Sequence, residues 1–466
     1  MRRYEFRFVH HSCNQRFGRC CGKRVELGSD DKLFCCHWTT CEQRIMSRDT
    51  QSFKLKRNYE LLGKINHSTI IQFFSIAVSL ILSAFMIRVI GAENAGVITT
   101  LNAMVAICLI FTTFGWPVIL TKVFAGNSGS SAAKIFKRAL KESGVLTALV
   151  CLALLILSET GLLPELEYGF AFVLILLFLR TLMLLTKAVL DGMGQVAAGQ
   201  YCVGLVMPLI TMACFIPLNP MSDIKNVLML YSLSVALGFA ALVFLFVFKY
   251  QPDRDDESSS DVEIKREGNW WLMSTRLSNV ILLKADIIIM SYYIEDRSIA
   301  IYGLICQVVT ILTISISAGN AIFGPAIVKQ YNAGDLDSAR NTFRSVQKYV
   351  LAWSCPLFML LCLFPGFILS ILTGESVDGP FSFCLVVLAI SQMANAATGP
   401  VATALYMKGE VVFFSLSMII SVFLNVIGNL VLVPRYGIAG AAAATATVAI
   451  LVNLVQYMKA RSLKIA

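Results

Sequence analysis

The sequence predicts an all-α polytopic membrane protein of about 12 transmembrane helices, in two six-helix halves around a central cavity, with both termini cytoplasmic. Three observations predict it. The 466 residues are 57% hydrophobic and 15% charged, with a mean hydropathy of +0.71, outside the range of soluble globular domains. Apolar runs of the ~20 residues that cross a hydrocarbon core recur from residue 69 to the C-terminus. Lys and Arg gather in alternate connections, the pattern of loops retained on the cytoplasmic side.

The spans fall near 69–90, 95–116, 143–163, 168–190, 199–218, 226–248, 271–293, 298–323, 349–372, 380–403, 411–433 and 437–458. Connection 117–142 carries Lys122, Lys134, Lys137, Arg138 and Lys141; 249–270 carries Lys249, Arg254, Lys265 and Arg266; 324–348 carries Lys329, Arg340, Arg344 and Lys348. The intervening connections hold only Lys225, Arg297 and Arg435, and 158–167 has three Glu and no base. This asymmetry and the basic N-terminus account for the net charge of +10, so nucleic acid is not expected as a partner.

Residues 1–65 form a cytoplasmic N-terminal segment. Within it Cys13, Cys20, Cys21, Cys35, Cys36 and Cys41 sit with His10, His11 and His37 among basic residues. A zinc module is one reading, but only the spacing from Cys36 to Cys41 approaches the C-x₂₋₄-C pairing of structural zinc. The favoured reading is an upstream extension, with the working chain starting at Met46 and no metal bound. No apolar core or cleavage site marks it as a signal peptide. The other eight Cys lie singly in or near spans, where Cys behaves as a small hydrophobe.

A charged linker at 249–270 separates a first bundle, 66–248, from a second, 271–466. Six spans per half give the halves the same orientation, as in a parallel repeat. "AVLDGMGQVAAGQ" at 188–200 and "ALYMKGEVVFFS" at 404–415 occupy equivalent connections, and the basic stretches 117–142 and 324–348 do likewise.

Polar residues follow helical spacing in several spans. Ser68, Gln72, Ser75, Ser79 and Ser83 share one face of the first, Ser417, Ser421, Asn425 and Asn429 one face of the eleventh, and Gln307, Thr310, Thr313, Ser317 and Asn320 a wider face of the eighth. Such stripes line a wet cavity or glue helices together. Arg180 stands at the dry centre of the fourth span. It shares a face with Lys187, seven residues on, which Asp191 at i+4 can pair. A guanidinium there costs roughly 2.5–3.5 kcal/mol unless it meets a partner or water; a hydrated cavity and a packed ion pair are its two readings. In the seventh span Lys284 and Asp286 are about 200° apart around the helix and cannot point the same way. Asp286, the one acid well inside a span, is a candidate ion-coupling residue, with a salt bridge to Arg180 or Arg88 as its structural alternative.

These residues carry a resemblance. "FMIRVIGAENAGVITTLNAMVAICLIFTTFGWPVILTKVFA" at 85–125, "LLKADIIIMSYYIEDRSIAIYGL", "FGPAIVKQYNAGDLDSARNTF" and "LNVIGNLVLVPRYGIAGAAAATA" resemble the polysaccharide transporter (Wzx-type oligosaccharide/O-antigen flippase) branch of the multidrug/oligosaccharidyl-lipid/polysaccharide exporter superfamily. The likeness covers residues 66–460. It implies a multi-pass flippase of the bacterial cytoplasmic membrane. Such a protein moves polyprenyl-diphosphate-linked repeat units by alternating access, for O-antigen, capsule or exopolysaccharide, and is not an enzyme. A cationic cavity would hold the diphosphate through Arg180, with Arg88, Arg276 and Lys284 as neighbours, Asp286 as the coupling acid, and Gln72, Ser75, Ser79, Gln307, Asn320, Asn425 and Asn429 as polar lining. Membrane lipids, a polysaccharide polymerase and a chain-length regulator are the implied partners, and no cofactor is implied.

Two alternatives stay open. A cation-coupled multidrug or toxin antiporter of the same superfamily needs an acidic cavity, against which one intramembrane acid and several bases argue. A membrane glycosyltransferase or polymerase needs catalytic groups on external loops, and these are short. No G-x-x-x-x-G-K-[ST] loop is present to bind nucleotide phosphates.

Overall fold

Hydropathy misplaces the connections more than the spans, and a few backbone positions explain why. The computed structural model describes residues 70–126, 130–159, 169–217, 223–249, 269–377 and 379–463. The Cys- and His-rich stretch 1–50 and linker residues 250–268 lie outside them. The described residues belong to one unit, Lys64–Ala466.

Helix α1, Ile70–Ile90, turns at Gly91, whose φ of 85° lets α2, Ala92–Thr113, start at once. Helix α2 stops at Phe114 and Gly115, both at positive φ, and α3, Trp116–Gly126, follows in a new direction. Its Trp116, Leu120 and Phe124 are buried with Leu185, Ala188 and Val189 of α5, Gly169–Gly192. The basic connection expected over 117–142 is therefore mostly helix. Lys122 lies on α3, and Lys134, Lys137, Arg138 and Lys141 decorate the first turns of α4, Ser130–Glu159, where exposed Arg138 pairs with Glu142 at 2.7 Å.

Helix α6, Val196–Phe215, contains a π turn at Cys202–Val206, and α7 spans Ile224–Lys249. The later helices are α8, Asn269–Met290; α9, Asp296–Thr310; α10, Thr313–Asn332; α11, Leu336–Leu363; α12, Pro365–Thr373; α13, Gly379–Thr398; and α14, Val401–Met407. Asp335 caps α11 by accepting the Ser338 N–H at 3.0 Å. The last stretch, Val411–Ser462, breaks at Gly437 (φ 59°, ψ −138°), after Pro434. It folds back as α15 (411–436) and α16 (438–462), because Asn425 bonds Thr445 at 3.1 Å and Gln456 bonds Ser417 at 2.8 Å.

Ten described stretches are long and apolar enough to cross a membrane. The tenth is this hairpin of two helices, and α8 has the same length but carries Arg276, Lys284 and Asp286. Twelve membrane-length helices thus stand among the described residues, as expected. Phe244, Phe248 and Met229 of α7, each more than 70% exposed, present an apolar outer surface suited to lipid.

The two largest apolar clusters interlock: one lies mostly in α1–α7 and takes in Ala300 and Leu304 of α9, the other lies mostly in α8–α16 and takes in Ala103 of α2. They meet where α2 packs on α8 and α9. Small residues permit this approach: a Cβ on Gly96 would collide with the backbone of Asp296, and one on Gly303 would lie 2.8 Å from the Thr99 methyl. We expect Gly96→Val to cost about 1–3 kcal/mol, read as a lower midpoint of thermal unfolding in detergent; an unchanged midpoint would contradict the close contact.

Candidate functional site

Where α2 and α5 face α8 and α9, the chain leaves a cavity of about 450 Å³. Helix α5 supplies its charge through ordinary periodicity. Leu176, Leu177, Thr181 and Leu185 are buried in the first bundle, and Thr181 bonds Thr112 of α2 at 2.9 Å. The other face, Arg180, Leu184 and Lys187, is then turned into the cavity. The π turn of α6 delivers Val203 and Met207 to the opposite wall, with Gly204 pressed on Ser75 of α1.

Arg180 donates from Nη2 to the Tyr231 hydroxyl at 3.1 Å. The Asn102 amide donates to the same hydroxyl at 3.1 Å and accepts from it at 3.2 Å. Arg180 Nε is buried and without a hydrogen-bond partner. A buried guanidinium N–H left open is costly and is satisfied when an acceptor arrives. Lys284 of α8 enters from the second bundle, and Ser83 donates to Gln307 across the two bundles at 2.9 Å. No carboxylate is among the described residues lining the cavity. Lys187 pairs with Asp191 at 2.7 Å, so among the described lining residues Arg180 and Lys284 are the cations with no carboxylate bonded to them. A cation-lined space of this kind attracts a multivalent anion.

The structure separates the expected residues. Arg180, Lys284, Ser79 and Gln307 line the cavity. Arg276 is exposed and lies outside it, in an adjoining space with Lys187. Arg88 is elsewhere, because its Nε donates to Leu372 O at 3.2 Å and its Nη2 to Ile371 O, the last-turn carbonyls of α12, where a cation meets the negative end of the helix. Gln72 is exposed and Ser75 is buried with its hydroxyl on Ile71 O at 2.8 Å; neither lines the cavity. The Asn320 side chain lies outside what the structure describes.

Asp286 is buried in the second bundle, on the side of α8 away from Lys284. Its carboxylate accepts from the Tyr302 hydroxyl at 2.8 Å, the Ile287 N–H at 2.8 Å and the Thr445 hydroxyl at 3.4 Å. No salt bridge joins it to Arg180 or Arg88. Thr445 links on to Asn425, which bonds Asn429 at 3.2 Å, and Asn429 Oδ1 is buried without a partner. The eleventh-span stripe is thus turned onto the Ala-rich α16 and away from the cavity: Gly428 and Ala444 allow α15 and α16 to approach, and the Asn residues lie in their interface. Asn102 and Tyr231 were missed in the sequence. An Asn inside a span needs a partner, and that signal could have found the first of them.

Three comparisons bear on this arrangement. The sequence pattern of a family described as "Polysaccharide biosynthesis protein" matches residues 61–329. Among curated protein sequences none matches the chain. Solved structures share the fold at low identity. A Vibrio cholerae MATE transporter has 16% identity over 87% of this chain and 97% of its own, with a TM-score of 0.55. The lipid II flippase MurJ, inward closed, has 14% over 84% and 87%, at 0.55. An inward-facing MATE multidrug transporter of the MOP superfamily has 12% over 85% and 94%, at 0.59. The match across more than half of the sequence shows that the chain belongs to the polysaccharide biosynthesis protein family, and its helical fold is shared with these solved transporters.

Proposed function

We propose that the protein is a flippase moving polyprenyl-diphosphate-linked oligosaccharide repeat units across the bacterial cytoplasmic membrane, for O-antigen, capsule or exopolysaccharide assembly. The observation that carries this reading is the cavity itself: Arg180 with an unpartnered buried Nε, Lys284 in the same lining, and no carboxylate among the described residues of the walls. A diphosphate offers the oxygens that a guanidinium fork and an ammonium hold best, and it reduces the penalty of keeping those charges inside the membrane. The same absence disfavours export of cationic drugs, which needs an anionic site.

In this reading the bundles 66–248 and 271–466, joined by the linker 249–270, rock about the bound head group, with both termini cytoplasmic. Asp286 and the hydroxyls of Tyr302 and Thr445 form the place where a proton or small cation would bias the second bundle, as intramembrane acids do in ion-coupled transporters.

Restoration of surface polysaccharide in a strain lacking its own repeat-unit flippase for the same glycan tests the proposal. Tyr231→Phe loses the hydroxyl that holds Arg180 and Asn102 together, and we expect it to lower the restored amount about tenfold at equal membrane level, the effect of one hydrogen bond to a charged group. Full restoration by Tyr231→Phe would mean that Arg180 needs no such holder.

A further inference from the structure

A second space of about 360 Å³ adjoins the cavity, and Leu184 and Lys187 line both. Its polar walls are Thr121 and Lys122 of α3, Asp191 of α5 and Arg276 of α8. Two features point to a ligand of a particular kind. Asp191 spends Oδ2 on Lys187, and its Oδ1 is buried with no hydrogen-bond partner. An open carboxylate oxygen is the acceptor that a hydroxyl group satisfies. Lys122 and Arg276 are exposed cations contributed by the two different bundles, and Asp191 is the only acid among the described residues of the walls. With Lys187 and Asp191 neutralising each other, two positive charges remain. Hydroxyl acceptor and cations together suit a polyhydroxylated molecule that is itself negatively charged.

Position agrees with chemistry. Asp191 lies eleven residues beyond Arg180 on α5, about 16 Å along the helix axis, which is the reach of a head group bearing sugar. We propose that this compartment receives the glycan of the lipid-linked substrate and selects repeat units that carry an acidic sugar. The proposal rests on the flippase reading of the main cavity: the diphosphate sits at Arg180 and Lys284, hydroxyls meet Asp191 Oδ1, and a sugar carboxylate sits between Lys122 and Arg276.

Dissociation constants of the purified full chain for three soluble analogues test it: farnesyl diphosphate, farnesyl diphospho-glucose and farnesyl diphospho-glucuronate. We expect the glucuronate compound to bind about fivefold tighter than the glucose compound, the upper size of one solvent-exposed ion pair. In a Lys122→Gln/Arg276→Gln variant that ratio is expected to fall to near one; both side chains are exposed, so folding is not at issue. Equal affinity for the two sugars in the wild type, or a preference retained in the variant, would overturn acidic-sugar selection while farnesyl diphosphate binding leaves the flippase reading standing. Binding of none of the three would overturn the flippase reading and this inference with it.

Discussion

Arg180→Ala is expected to abolish restoration of surface polysaccharide in the flippase-deficient strain while the protein remains folded in the membrane. The guanidinium is the forked donor among the described residues of the cavity, and truncating a desolvated, charge-assisted contact costs about 3 kcal/mol or more, on the order of a hundredfold in affinity for the anionic head group. Stability should move little or rise. In the substrate-free protein Arg180 Nε is an orphaned buried donor, and the Tyr231 hydroxyl keeps Asn102 after truncation. Arg180→Lys retains charge but loses the fork, so an intermediate phenotype is expected. Loss of function with unchanged or raised unfolding temperature separates a binding role from a packing role; normal polysaccharide from Arg180→Ala would reduce the residue to packing.

Asp286 is expected to show the reverse balance. Its carboxylate accepts two hydroxyls and a backbone N–H in a core that excludes water. Asp286→Ala strands those donors, which costs about 2–4 kcal/mol and shows as poor membrane accumulation. Asp286→Asn keeps the shape and one acceptor oxygen but not the charge. That variant should fold and yet lose any dependence of transport on a sodium or proton gradient, measured in proteoliposomes under imposed gradients. A gradient response like the wild type's would leave Asp286 a structural acceptor only.

Much of the fold was legible because hydropathy reports the existence of a span directly: twelve were expected and twelve membrane-length helices stand among the described residues. The connections were not legible. Residues 117–126 read as the start of a basic loop, yet two left-handed residues, Phe114 and Gly115, stop α2, and Trp116 and Leu120 then find a buried face on α5. Charge in the seventh span was readable by angle: Lys284 and Asp286 do point to different neighbours. The polar stripes were ambiguous, because periodicity gives a face and not what it meets. Ser79 and Gln307 meet the cavity, whereas Asn425 and Asn429 meet α16. Arg88 was misplaced for a similar reason. A base near the end of a span satisfies helix carbonyls as well as phosphate, and only the fold of α12 shows which is at hand.

The most direct test is flipping itself. Purified protein in proteoliposomes would be given a short-chain polyprenyl-diphospho-sugar carrying a fluorophore, with an impermeant quencher added outside. The wild type is expected to bring the inner-leaflet probe into reach of the quencher, Arg180→Ala is not, and a rhodamine-type cationic amphiphile is expected to stay where it is. Movement of the cation with no movement of the lipid-linked sugar would make the protein a drug exporter and not a flippase.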